Sequence, residues 1–157
     1  MKFSHLIQIN DPFNPLIDPL SRGQLWRGLV LRAEEPLLFV LALDRFEIVE
    51  RRENTLARVL HFGSLSLRDR VYFSPMHQVR YEIEPAPDSP AASLVMTIEE
   101  PEAGQLFVRF DYETMLEGGT APLDELYGSF AKQAYVEADI DTISTIRRLA
   151  ADPGAPG

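Results

Sequence analysis

The 157-residue chain is 45% hydrophobic, carries a formal net charge of −9 and contains no cysteine. That composition predicts a packed globule and excludes disulfides, thiol catalysis and cysteine-bound metal. The acidic balance argues against nucleic acid or an anionic membrane as a partner, and no run reaches the roughly 18 apolar residues that span a bilayer.

The length suits one domain, expected over residues 1–152, with a disordered tail at 153–157. Met1-Lys2-Phe3-Ser4-His5 lacks the apolar core of a secretion signal, so a cytoplasmic location is expected.

Residues 2–10 alternate, with Phe3, His5, Ile7 and Ile9 on one side, and predict a strand. Asp11-Pro12, Asn14-Pro15 and Asp18-Pro19 then mark a loop. Ser21 followed by Gln24 is a capping-box pattern, and Leu25, Trp26, Leu29, Val30 and Ala33 repeat at helical spacing until Pro36. Gly23 and Gly28 weaken that helix. The apolar run 37–43 reads as a short helix or a buried linker.

From Asp44 the period becomes two, with strands expected at 44–52, 55–62, 65–73, 78–84, 92–100 and 105–114. Short breakers between them imply an antiparallel meander. A two-residue turn at Gly63-Ser64 sets Leu60 against Leu67, Arg58 against Asp69 and Leu56 against Val71. The loop at Pro75-Met76-His77 sets Val71 against Tyr81, and a loop around Glu53 sets Arg58 against Ile48, with Glu50 beside Leu56. The last hairpin sets Ile98, Met96 and Leu94 against Leu106, Val108 and Phe110. The inward face is thus apolar apart from the Arg58/Asp69 pair, and it includes Tyr81, Met96, Phe110 and Tyr112.

A long amphipathic helix is predicted from about Thr120 to Ala151, after Gly118-Gly119, with Thr120 as N-cap and Pro122 in the first turn. Leu123, Leu126, Tyr127, Phe130, Ala134 and Ala138 cluster on one side, continued by Ala131, Thr142, Thr145, Ile146 and Leu149. Val136, Ile140 and Ile143 form a second stripe, which suits a homodimer contact.

The segments Ile9-Asn10-Asp11-Pro12, Leu25-Trp26-Arg27-Gly28-Leu29, Arg32-Ala33-Glu34-Glu35-Pro36, Phe62-Gly63 and Asp69-Arg70-Val71 resemble the AtaL-like family of the START/SRPBCC superfamily, which includes the plant pollen allergens. The resemblance covers essentially the whole chain. It implies an α+β helix-grip fold, a seven-stranded curved antiparallel sheet wrapped around the C-terminal helix with a cavity between them. Superfamily members bind lipids, sterols, polyketides or hormones, and some are cyclases or aromatases. The resemblance brings no agreed catalytic residues, and a fold alone does not fix a function.

The residues themselves nominate Arg58 and Asp69 as a polar anchor in an apolar cavity. Arg58 would grip a carboxylate or enolate, and Asp69 would orient it or accept a proton; alternatively the pair is a cross-strand salt bridge that fixes register. Tyr81, Met96, Phe110, Tyr112, Phe130 and Ala134 complete the candidate ligand site. Alanines on the last helix would leave space under a concave sheet. His61 and His77 read as surface residues, His5 as a satisfied core histidine and Trp26 as a core anchor. No metal-ligand spacing, phosphate loop or nucleophile elbow is present, and no cofactor is expected. The expected function is non-catalytic binding of a small apolar or amphipathic ligand. The alternative is a cyclase/aromatase- or isomerase-like enzyme acting on a polyketide-like compound in the same cavity.

Overall fold

The computed structural model describes residues 1–87, 90–115 and 122–152, with side chains omitted for 122–129. Seven strands form one curved antiparallel sheet: β1 (Lys2–Gln8), β2 (Arg45–Arg51), β3 (Thr55–Phe62), β4 (Leu65–Ser74), β5 (Gln78–Ile83), β6 (Ala92–Glu99) and β7 (Phe107–Thr114). Their spatial order is β1-β7-β6-β5-β4-β3-β2. The meander places each strand beside the next, and β1 closes onto β7. Among the described residues two helices complete the fold, α1 (Arg22–Glu34) and α2 (Pro122–Ala151), with a 3-10 turn at Pro36–Leu38. This is the α+β helix-grip arrangement that the family resemblance implies.

Local chemistry explains most boundaries. Ser21 caps α1 through the full capping box, accepting from the Gln24 amide while the Gln24 side chain accepts from the Ser21 amide. Gly63 takes a φ of 60°, and this left-handed residue lets a two-residue turn join β3 to β4. Met76 takes a φ of 63° in the β4–β5 turn. Asn10 is buried and closes the proline-rich loop on itself. Its side chain donates to the Leu20 carbonyl at 2.7 Å and accepts from the Leu20 amide at 2.9 Å. Of the 37–43 run only residues 37 and 38 join the 3-10 turn, and Leu37, Leu38 and Leu41 are exposed.

The register between β3 and β4 is the expected one, with Arg58 opposite Asp69 and Leu56 opposite Val71. Val71 likewise faces Tyr81 across β4 and β5. Two pairings differ. A bulge between Ile48 and Glu50 sets Glu50 opposite Ala57 rather than beside Leu56. In the last hairpin Ile98, Met96 and Leu94 face Val108, Phe110 and Tyr112, two residues beyond the expected partners. The longer connection before Phe107 absorbs the slip, and an even shift keeps every side chain on its face.

The largest correction concerns α2. Among its described side chains Asp139, Thr142, Ile143 and Ile146 are buried, with Tyr135 half-buried beside them, whereas Ala134 and Ala138 are exposed and Phe130 is 61% exposed. Thr142 and Ile146 are inward as expected, but over 130–139 the buried side is turned by about one residue, roughly 100°, from the Phe130, Ala134 and Ala138 face that an apolar count selects. Ile143 belongs to the core, and Ile140 stays exposed. The expected cap at Thr120 and its glycine pair, part of the Pro85–Pro90 loop and the 153–157 tail lie outside the described residues, as do the side chains of Leu123, Leu126 and Tyr127.

Gly28 has a packing reason. A Cβ there would lie 2.5–2.9 Å from three side-chain atoms of Ile146, so the missing side chain lets α1 and α2 meet. Around this crossing Leu25, Leu29, Ala33, Ile143 and Ile146 join Val71, Tyr81, Met96, Val108 and Phe110 in one core. Trp26 packs on that core edge-to-face against Phe73, at 6.5 Å and 85°. Among the described residues, no helix is long and apolar enough to cross a membrane.

Candidate functional site

A cavity of about 210 Å³ lies between the middle of the sheet and the C-terminal end of α1. Strands β3 to β6 supply Arg58, Leu60, Phe62, Leu67, Asp69, Tyr81, Ile83 and Leu94. The other side is Arg32 from α1, Pro36, and Val40 and Leu43 from the segment that follows. Alternation along each strand puts these residues on one face, and Pro36 ends α1 so that the next residues wrap over the space. Most of the lining is apolar, with four polar side chains gathered together.

Those four are not equally engaged. Arg58 is buried and donates through Nε to Asp69 Oδ1 at 2.9 Å and through Nη2 to Asp69 Oδ2 at 2.5 Å. Its Nη1 donates to the Ala33 carbonyl at 2.9 Å, near the C-terminus of α1. The pair therefore fixes the β3–β4 register and ties α1 to the sheet. The edge of the guanidinium suited to bidentate contact is occupied by Asp69.

Tyr81 is only 3% exposed, and its hydroxyl makes no hydrogen bond of good geometry among the described residues, although the Arg32 guanidinium lies close enough to act on its oxygen. The guanidinium carbons of Arg58 and Arg32 each lie 5.2 Å from its ring centre, in cation–π range. Arg32 is half-buried; it donates one long hydrogen bond from Nε to Thr142 Oγ1 at 3.4 Å, interacts with the Tyr81 hydroxyl, and makes no ion pair among the described residues. Burial opposes its charge. The nearby Tyr81, Tyr112 and Asp139 outweigh that effect and hold its pKa above the ordinary arginine value.

A second polar group joins β1, β7 and α2. The Tyr112 hydroxyl lies 2.6 and 2.8 Å from the two oxygens of Asp139, and His5 Nε2 lies 2.6 Å from Oδ2. Tyr112 stacks on Tyr135 with ring centres 4.1 Å apart, and His5 stacks on Phe110 at 5.2 Å. Desolvation raises the Asp139 pKa, against the contrary pull of the Tyr112 and His5 hydrogen bonds. Burial, followed by the Asp139 charge, drives the Tyr112 pKa far upward.

Of the residues nominated from the sequence, Arg58, Asp69 and Tyr81 meet at the cavity. Met96 and Phe110 are fully buried in the core beside it, and Tyr112 is committed to Asp139. Phe130 and Ala134 point away to solvent because of the rotation of α2, and no described residue of α2 lines the space. Arg32 and Asp139 were missed because an arginine or aspartate on an amphipathic helix normally marks its solvent side. His5 is the satisfied core histidine expected, whereas His61 is not a surface residue bathed in solvent: Nδ1 meets Ser66 Oγ at 2.9 Å and Nε2 is buried. His77 is exposed. No group of three His, Asp or Glu among the described residues is arranged to hold a metal ion.

The family model described as "AtaL: Acetylaranotin biosynthesis cluster protein L" matches residues 7–153. No curated protein matches the chain. Among solved structures, the ZhuI aromatase/cyclase from Streptomyces sp. R1128 superposes with a TM-score of 0.66 at 17% identity, over 99% of each chain. The di-domain ARO/CYC StfQ from the steffimycin biosynthetic pathway gives a TM-score of 0.67 at 11% identity, over 92% of this chain and 49% of that one. Ara h 8.0201 gives 0.61 at 15% identity, over 94% of this chain and 98% of that one. At these identities the superpositions establish a common fold.

Proposed function

The chain belongs to the AtaL family, and on that premise we propose that it binds a small hydrophobic or amphipathic ligand in the cavity between sheet and α1. The observation that carries this reading is the Tyr81 hydroxyl, buried at the cavity with no acceptor for its proton among the described residues. An unsatisfied buried hydroxyl costs about 1–3 kcal/mol, and a ligand oxygen or nitrogen reaching it would remove that penalty. Apolar walls supply affinity, and the Arg58/Asp69 pair with Tyr81 supplies orientation.

The test is a titration with the neutral fluorescent probe N-phenyl-1-naphthylamine. Saturable enhancement at one site is expected, and Leu60→Trp should abolish it by filling the space with an indole. Unchanged binding in a folded Leu60→Trp protein would move the site elsewhere.

A second reading is turnover of a polyketide-like compound in the same place, and solved aromatase/cyclases share the fold. Tyr81 is the group that favours it, because its hydroxyl is free to donate a proton or hydrogen bond to a reacting oxygen. Under this reading Tyr81→Phe removes turnover and retains binding. Under the first, no such compound is consumed by the wild-type protein.

A further inference from the structure

We infer that the ligand is an acid, bound as its anion, with the negative oxygen held by Arg32 and the Tyr81 hydroxyl. The inference rests on the binding reading above and names the chemical class that this cavity selects.

The argument begins with charge. The cavity lining holds two arginines and one aspartate. Asp69 gives both its oxygens to Arg58, so that pair is closed. One positive charge, on Arg32, is left unmatched. Its hydrogen bond to Thr142 engages Nε, and beyond that the guanidinium reaches the Tyr81 hydroxyl oxygen, a neutral partner that leaves the charge unmatched. The other carboxylate in its neighbourhood, Asp139, reaches Arg32 only through its field, with its oxygens taken by Tyr112 and His5.

A guanidinium and a phenol thus share a place where the neutral Tyr81 oxygen is the acceptor at hand and, among the described residues, the phenol's own proton has none. Tyr81 is nearly inaccessible to solvent, and the Arg32 guanidinium sits against its ring. The species that satisfies both is a planar oxyanion: a carboxylate, an enolate or an acidic phenolate. Arg32 is half-buried, so a ligand without an acidic oxygen would strip part of its water and return no charge, which is costly. The wider field sharpens the point. With a net charge of −9 the chain repels anions over its surface, so a preference for an anion must come from this local pair.

The experiment compares two probes of equal shape, 2-naphthoate and 2-naphthamide, by calorimetry at pH 7 on the intact protein. The acid should bind about tenfold or more tighter than the amide, the worth of one hydrogen bond to a charged group. Arg32→Gln should bring the acid-to-amide ratio close to one, Arg32→Lys should keep part of it, and Tyr81→Phe should lower it. Circular dichroism on each variant separates loss of preference from loss of fold, and the wild-type comparison stands without any variant. If both probes bind equally to the wild-type protein, the acid inference is overturned while the binding reading survives. If neither probe nor N-phenyl-1-naphthylamine binds, both fall.

Discussion

Removing Asp69 should unsettle the molecule more than any other single change at the cavity. Arg58 is 4% exposed, and two of its three hydrogen bonds end on that carboxylate. Asp69→Leu leaves a buried guanidinium with only the Ala33 carbonyl, and uncompensated burial of this kind costs about 3–5 kcal/mol. Arg58→Met leaves the carboxylate alone and also strips the Ala33 carbonyl of its donor. It should cost a similar amount, moderated because a stranded carboxyl can take up a proton. The double variant removes both charges and keeps apolar volume. Its cost should fall to about 1–3 kcal/mol, the penalty of the orphaned carbonyl, far below the roughly 6–10 kcal/mol that independent effects would give. Urea unfolding followed by circular dichroism measures all three free energies. Single variants costing about 1 kcal/mol or less, and adding in the double, would refute the claim that this is a buried, coupled pair.

Two other changes read separate parts of the structure. Gly28→Ala forces a methyl into Ile146, which is buried and branched at Cβ, so it should destabilise by about 1–3 kcal/mol despite alanine's better helix propensity. Ile146→Ala in the same chain should recover part of that loss, and an additive double variant would contradict the contact. Asp139 should make stability depend on pH. Its folded pKa is raised, so the folded state binds a proton more tightly than the unfolded chain does. Stability from this group is then fully present below the ordinary carboxylate pKa and is lost as pH rises through the raised value. The stability of wild type relative to Asp139→Asn should therefore improve as pH falls from that raised value toward the ordinary carboxylate range. A constant difference between the two proteins across that window would show that burial does not govern Asp139. His5, Tyr112 and Arg32 are the other titratable groups acting on it.

The sheet was legible in the sequence because its turns are short. With Gly63-Ser64 between two alternating runs, one hairpin register places Arg58 on Asp69, and the structure has that pairing. Where the connection is longer, before Phe107, the same reasoning slips by two residues and only the face survives. The candidate site was legible as far as it lies on strands, namely Arg58, Asp69 and Tyr81. It was not legible on the helices. Counting apolar residues on α2 turns Thr142 and Ile146 inward, as they are, but also favours Phe130, Ala134 and Ala138, whereas the helix buries Asp139 and Ile143. Asp139 is satisfied there by His5 in β1, more than 100 residues distant, and by Tyr112 in β7. No local periodicity reports such partners. The same holds for Arg32, whose place at the cavity is set by the meeting of α1 with α2 at Gly28.

The most direct test of the account is a crystal structure of the protein saturated with 2-naphthoate. The account predicts the naphthyl ring between Leu60, Leu94 and Val40, with its carboxylate within hydrogen-bond distance of Arg32 and the Tyr81 hydroxyl. A ligand bound only in the surface groove lined by Leu16, Gln24 and Arg147, with the cavity around Tyr81 unchanged, would contradict it.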